Sequence, residues 1–130
     1  MKKYENFCAA LKNLIEIYDH EEPYTSLTTT GLVGFYSICF EQAWKAMKEL
    51  LEDSGFPEAQ TGSPKQILKT AYAAGMIHDE QGWLSALMSR NNVAHSYNQA
   101  VALDIIHNCK ETYYDLFVAL QQEMERNWLS

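Results

Sequence analysis

Apolar residues recur along this chain at intervals of three and four, the spacing of one helix face. Tyr4, Phe7, Cys8, Leu11, Leu14, Ile15 and Tyr18 form the first such stripe and predict an amphipathic helix. The segment Asp19 to Thr28, with Pro23 inside it, breaks the period and reads as a loop. A second stripe carries Leu32, Phe35, Tyr36, Cys39, Ala43, Met47, Leu50 and Leu51. Val33, Ile38, Phe40 and Trp44 add to it, so the first half of this helix is apolar nearly all round. A helix of that kind sits at the centre of a fold or is covered by a second subunit. Glu52 to Ser63 is the clearest loop signal and ends in Ser63-Pro64-Lys65-Gln66. There Ser63 can cap, Pro64 suits the first helical position and Gln66 completes a capping box. A short helix follows with Ile67, Leu68, Ala71 and Tyr72, and Gly75 can end it. Asp79 can cap a fourth helix carrying Trp83, Leu84, Leu87 and Met88. The last stripe, Ala102, Ile105, Ile106, Cys109, Tyr113, Leu116, Phe117, Leu120 and Met124, keeps one face over about seven turns. No segment sustains period-two alternation. The pattern predicts one all-α domain over residues 1–130, an antiparallel helical bundle of about five helices.

Composition narrows the function classes. A chain of 130 residues is one domain and can build a core without staples. Six Gly and three Pro are few for a fold made of many tight β-turns. Lys and Arg total 10 against 17 Asp and Glu, a net charge of −7. That balance argues against a basic face coating long nucleic acid, and leaves room for a small site that handles one phosphate. Cys8, Cys39 and Cys109 are odd in number, form no CxxC and lie among apolar residues, which suits free thiols in a reducing compartment. Met1-Lys2-Lys3 leads into Tyr4-Glu5-Asn6, so no signal peptide is expected. The longest apolar-rich stretch, Gly31 to Phe40, is too short to span a bilayer. A soluble, cytoplasmic protein with no membrane partner is the expectation. His20, His78 and His107 share no metal-ligand spacing, so no metal and no cofactor are assigned.

The segment Ser89-Arg90-Asn91-Asn92-Val93-Ala94-His95-Ser96-Tyr97-Asn98 breaks the apolar pattern. Continuing the fourth stripe through Leu84, Leu87 and Met88 brings Asn91 and His95 onto the predicted core face, where an unpaired polar group costs about 1–3 kcal/mol. A histidine can move a proton near neutral pH, and an arginine can grip a phosphate at two oxygens. Asn91 could orient either the imidazole or the phosphate. Together these groups suit attack of a ribose 2′-hydroxyl on its own phosphodiester, which needs no metal. A regular helix holds Arg90 and His95 roughly 140° apart. Either the helix ends near Ala94, or a second copy completes the site across a two-fold axis. A buried His–Asn–Arg network that merely ties helix ends together is the structural alternative.

Arg90, four residues, His95, Ser96 and Tyr97 match the Arg-x4-6-His motif of the HEPN superfamily, and its extended form Arg-x4-His-x-Tyr. Asn91 fits the polar residue after the arginine. The stretches FEQAWKAMKELLEDSGF and SPKQILKTAYAAGMIHDEQGWLSALMSRNNVAHSY resemble the HepT-like branch, long labelled nucleotidyltransferase substrate-binding protein. The resemblance implies a helical homodimer with its motif segments facing each other. It implies a metal-independent endoribonuclease toxin acting on RNA, with Arg90, His95 and Asn91 in the catalytic site. It also implies a minimal nucleotidyltransferase antitoxin as partner, which transfers AMP to Tyr97. The alternative within the resemblance is a non-catalytic subunit that binds substrate or nucleotide for a two-component nucleotidyltransferase. Lys45, Lys48, Lys65 and Lys69 could steer RNA, but read more simply as solvated helix faces.

Overall fold

Side-chain caps fix where most of the helices begin. The computed structural model describes residues 1–129. Helix α1 spans Lys2–Leu14 and tightens into a 3-10 turn over Ile15–Asp19. Helix α2, Ser26–Asp53, opens where the Thr25 hydroxyl accepts from the Thr28 N–H at 3.1 Å. Helix α3, Pro64–Ala73, carries the expected capping box, with Ser63 and Gln66 each accepting from the other's backbone N–H. It stops before Gly75, whose φ of 82° is left-handed backbone that glycine adopts without a Cβ penalty. Helix α4, Glu80–Ser96, is capped by Asp79, which accepts from Gly82 N–H at 2.9 Å. Asn98 caps helix α5, Gln99–Asn108, accepting from Val101 N–H at 3.0 Å. Helix α6, Tyr114–Glu123, continues α5 through a π turn at Cys109–Tyr113, and a second π turn follows at Met124–Trp128. Counting α5 and α6 as one rod gives five, and no strand occurs among the described residues.

The architecture is all-α, as the periodicity requires. Helix α2 is the hub, packing against α1, α3, α4 and α5. Its buried residues include Leu32, Val33, Tyr36, Cys39, Phe40, Ala43 and Met47. Aromatic rings from four rods meet at its middle: Trp83 lies 5.5 Å from Phe117 and 6.1 Å from Phe40, and Phe7 lies 6.3 Å from Phe117. Such edge and tilted contacts add to the area that the rings remove from water.

Three expectations need correction. The first stripe does not reach Tyr18 as one α-helix. The 3-10 turn moves the buried position to Ile17 and leaves Ile15 and Tyr18 exposed. In the last rod Leu116 is only half-buried, while Cys109, Tyr113 and Phe117 are buried at spacings of four. A pure α-helix would drift by about 80° over those eight residues, and the wider π turn absorbs the drift. Tyr72 also faces outward. Ile38, at 56% exposure on α2, is apolar surface that a single chain leaves uncovered.

Cys8, Cys39 and Cys109 are free thiols. Burial pushes the Cys109 thiol up to about 12 and Cys39 up as well, so both behave as small apolar groups. No helix among the described residues is long and apolar enough to cross a membrane.

Candidate functional site

Trp83 sets the rotation of α4. Its ring fits between Phe40 and Phe117, so the helix turns that side inward. Steps of about 100° per residue then aim Ala86, Leu87, Arg90 and Val93 inward, and Met88, Asn91, Asn92 and His95 outward. Burial follows this geometry: Ala86 and Leu87 are buried, Arg90 and Val93 are half-buried, and Asn91 and His95 are exposed. Of the expected core stripe, Leu87 is buried and Leu84 half-buried, while Met88, Asn91 and His95 stand on the outer face, with Met88 66% exposed. The physical reason is the size of Trp83. Its burial outweighs that of Met88 and rotates the polar motif out of the core, so Asn91 and His95 carry no burial cost.

Arg90 is the motif residue that reaches into the protein. Its Nη2 donates to Glu41 Oε2 of α2 at 2.6 Å, and its Nη1 donates to Asn91 Oδ1 at 3.1 Å. Glu41 Oε2 also accepts from Trp44 Nε1 at 3.1 Å, and Lys45 Nζ lies 3.6 Å from Glu41 Oε1. Burial pushes the Glu41 carboxyl up, but the Trp44 hydrogen bond, Arg90 and Lys45 together outweigh it and hold the group below its ordinary value. Glu41 is the site residue that sequence reasoning missed. Its only local signal is an i,i+4 pairing with Lys45, which reads as an ordinary surface pair.

The turn before Arg90 is held by tyrosines. Tyr36 donates to the Ala86 carbonyl, and Tyr113 stacks on Tyr36 with centroids 5.4 Å apart. The Tyr113 hydroxyl lies 2.9 Å from both Ser85 Oγ and Ser89 Oγ. Burial and the neighbouring Tyr113 push the Tyr36 phenol well up, so it stays a neutral donor. The π turn at Cys109–Tyr113 thus delivers Tyr113 to the base of the motif.

Beyond Arg90, α4 stays helical through Ser96, which removes the option of an end near Ala94. Within one chain, Arg90 and His95 remain roughly 140° apart. Tyr97 stands at the end of α4 in extended backbone (φ −66°, ψ 126°) and is 45% exposed. Lys65, Gln81, Leu84, Leu87, Met88 and Asn91 line a groove of about 350 Å³ along the outer side of α4. Lys45, Lys48 and Lys69 each sit beside a carboxylate, of Glu41, Glu52 and Glu80 respectively, in keeping with solvated faces. Among the described residues no three His, Cys, Asp or Glu side chains gather as metal ligands.

The profile of the family described as "Nucleotidyltransferase substrate binding protein like" matches residues 1–126. The chain belongs to that family. A curated relative, "Probable ribonuclease HepT" of Haemophilus influenzae, is 25% identical over 99 residues, covering 75% of this chain and 68% of that protein. A solved structure from Thermus thermophilus matches with a TM-score of 0.81 at 24% identity, covering 92% of this chain and 99% of that one, which shows a common fold. The HepT-like resemblance read from Arg90, His95 and Tyr97 agrees with these matches at the level of the family. In this family member Arg90 and Asn91 are in contact, while His95 and Tyr97 are exposed to solvent.

Proposed function

We propose that this protein is a metal-independent endoribonuclease of the HEPN toxin type, neutralised when a partner nucleotidyltransferase transfers AMP to Tyr97. The observation that carries the reading is the end of α4. There a half-buried arginine with N–H donors to spare and an exposed histidine lie within two turns of helix, followed at once by an exposed tyrosine. In the proposed reaction the His95 imidazole takes the proton of a ribose 2′-hydroxyl. The 2′-oxygen bonds to the adjacent phosphorus while Arg90 holds the non-bridging oxygens as charge builds. The bond from phosphorus to the 5′-oxygen breaks, and that oxygen leaves as a hydroxyl with a proton from water, while the hydroxide left behind takes the proton held by His95 and restores the neutral imidazole. The products are a 2′,3′-cyclic phosphate and a 5′-hydroxyl. Asn91 keeps the guanidinium in place through its 3.1 Å contact.

The angular separation of Arg90 and His95 favours a homodimer, in which one protomer supplies the arginine and its partner the histidine. Ile38 on α2 and Met88 on α4 are large apolar side chains left exposed in the single chain, at 56% and 66%, and a partner protomer would cover them in this reading. A second reading is favoured by the description of the family: a non-catalytic subunit that presents substrate to a nucleotidyltransferase.

Purified protein incubated with RNA in EDTA separates the two. The ribonuclease reading expects cleavage with cyclic-phosphate ends, and the substrate-binding reading expects none. Light scattering at micromolar concentration should return twice the 14.9 kDa chain mass, and a monomer would remove the shared site. Intact-mass measurement with ATP and the partner should show AMP on the wild type and none on Tyr97→Phe. An adduct retained in that variant would place the acceptor elsewhere.

A further inference from the structure

We infer that Glu41 is a positioning residue for Arg90: its carboxylate, carried on α2, fixes the guanidinium so that the remaining N–H donors address a phosphate. The inference rests on the ribonuclease reading for what Arg90 does, and on geometry alone for how Arg90 is held. An arginine on the inward side of a helix has many rotamers and a charge that cannot be shed. At Arg90 both problems have one solution. Glu41 meets Nη2 at 2.6 Å and supplies the opposite charge where the two side chains are 30% and 29% exposed. Partial removal from water makes this pair stronger than a fully exposed one.

Glu41 is itself held. Trp44 Nε1 donates to the same Oε2 that receives Arg90, and Lys45 stands beside Oε1. The carboxylate therefore cannot follow the arginine about, and α2, the hub of the fold, becomes its reference frame. A guanidinium has five N–H donors. Glu41 takes one and Asn91 takes another, so both Nη atoms are tethered and the fork still has hydrogens to give. A phosphate meeting this fork finds it already oriented, which is where a fixed catalytic group gains over a mobile one.

The chain holds only two arginines, Arg90 and Arg126, so their side-chain Nε–H signals can be told apart in ¹⁵N NMR. In Glu41→Ala the Arg90 heteronuclear NOE should fall to that of a mobile side chain, while Arg126 stays unchanged. Glu41→Gln, which keeps an acceptor at the same reach, should restore part of the order. With RNA, Glu41→Ala should lower kcat about 10- to 100-fold, the scale of a small misplacement of a reacting group, and change KM less than about threefold. Glu41→Gln should fall between the two. An Arg90 signal as ordered in Glu41→Ala as in the wild type would overturn the inference. Faster cleavage in Glu41→Ala would also overturn it, by making Glu41 a rival of the phosphate. If the wild type cuts no RNA, the ribonuclease reading falls, and the NMR result still decides what Glu41 does.

Discussion

The two halves of α4 are built for different ends. From Glu80 to Ser89 the helix is packed: Trp83 and Ala86 are buried, and Ser89 is bound to Tyr113. From Arg90 to Ser96 no residue is fully buried, and the carboxamide, imidazole and hydroxyl groups face water. One continuous helix joins them, so the packed half aims the exposed half. The difference teaches that a polar motif can be placed with accuracy without being buried, provided that the turns before it are locked.

The comparison breaks most sharply if chemistry and stability fail together. His95→Ala should lower RNA cleavage by about 10²–10⁴-fold, the range for a general acid–base. Its unfolding free energy should stay within about 0.5 kcal/mol of the wild type, as for an exposed residue. Both are readable from cleavage assays and urea titration, and full activity would end the proposed mechanism. Trp83→Ala is the counterpart in the packed half. It should cost about 3–5 kcal/mol in the same titration, the usual loss for a large buried aromatic. A much smaller loss would mean that α4 is oriented by something other than this ring.

Tyr113→Phe sharpens the boundary between the halves. It leaves Ser89 without its partner, and should cost about 1 kcal/mol in unfolding free energy. If Tyr113 does orient the motif, cleavage should drop more than that loss of stability predicts. Unchanged cleavage would confine Tyr113 to the core.

The smallest effect concerns pH. The Glu41 carboxyl is held below its ordinary value of 4.5 in the folded protein. Above the unfolded value it therefore contributes stability, and that contribution is lost as pH falls through the folded value. Acid titration of the melting temperature should show a shallower loss below about pH 4.5 in Glu41→Gln than in the wild type. Superimposable acid limbs would mean that the Glu41 carboxylate, with its Trp44, Arg90 and Lys45 partners, adds no measurable stability.

Much of the fold was readable in the sequence because its signals are local. Ser63, Pro64 and Gln66 announce the start of α3 in four residues, and Asp79 announces α4. The start of α2 was not readable to the same degree. Thr25, Ser26, Thr28, Thr29 and Thr30 are all chemically able to cap, and only the three-dimensional packing selects Thr25. The rotation of α4 was misread for a related reason: Leu84, Leu87 and Met88 make as good a stripe as Trp83, Ala86 and Leu87 until Phe40 and Phe117 are in place. At the site, Arg90, His95 and Tyr97 stood out as polar residues following an apolar run. Glu41 did not, because its relation to Arg90 spans 49 residues and exists only once two helices cross.

The π turn at Cys109–Tyr113 has a bearing on chain length. A π turn closes its hydrogen bond over one more residue than an α turn, so this rod behaves like a plain α-helix carrying one inserted residue. Removing one residue there would let the helix continue as ordinary α. The helix on either side would keep its phase, because the seven steps left from Cys109 to Phe117 turn an ordinary helix through about 700°, only about 20° short of two full turns. Phe117 and Leu120 would stay in the core, and only the residues of the widened turn, Tyr113 with its contacts to Ser85 and Ser89 among them, would shift. A single-codon deletion in this stretch is thus a milder lesion than the same deletion in an ordinary α-helix, which turns one side by about 100° against the other.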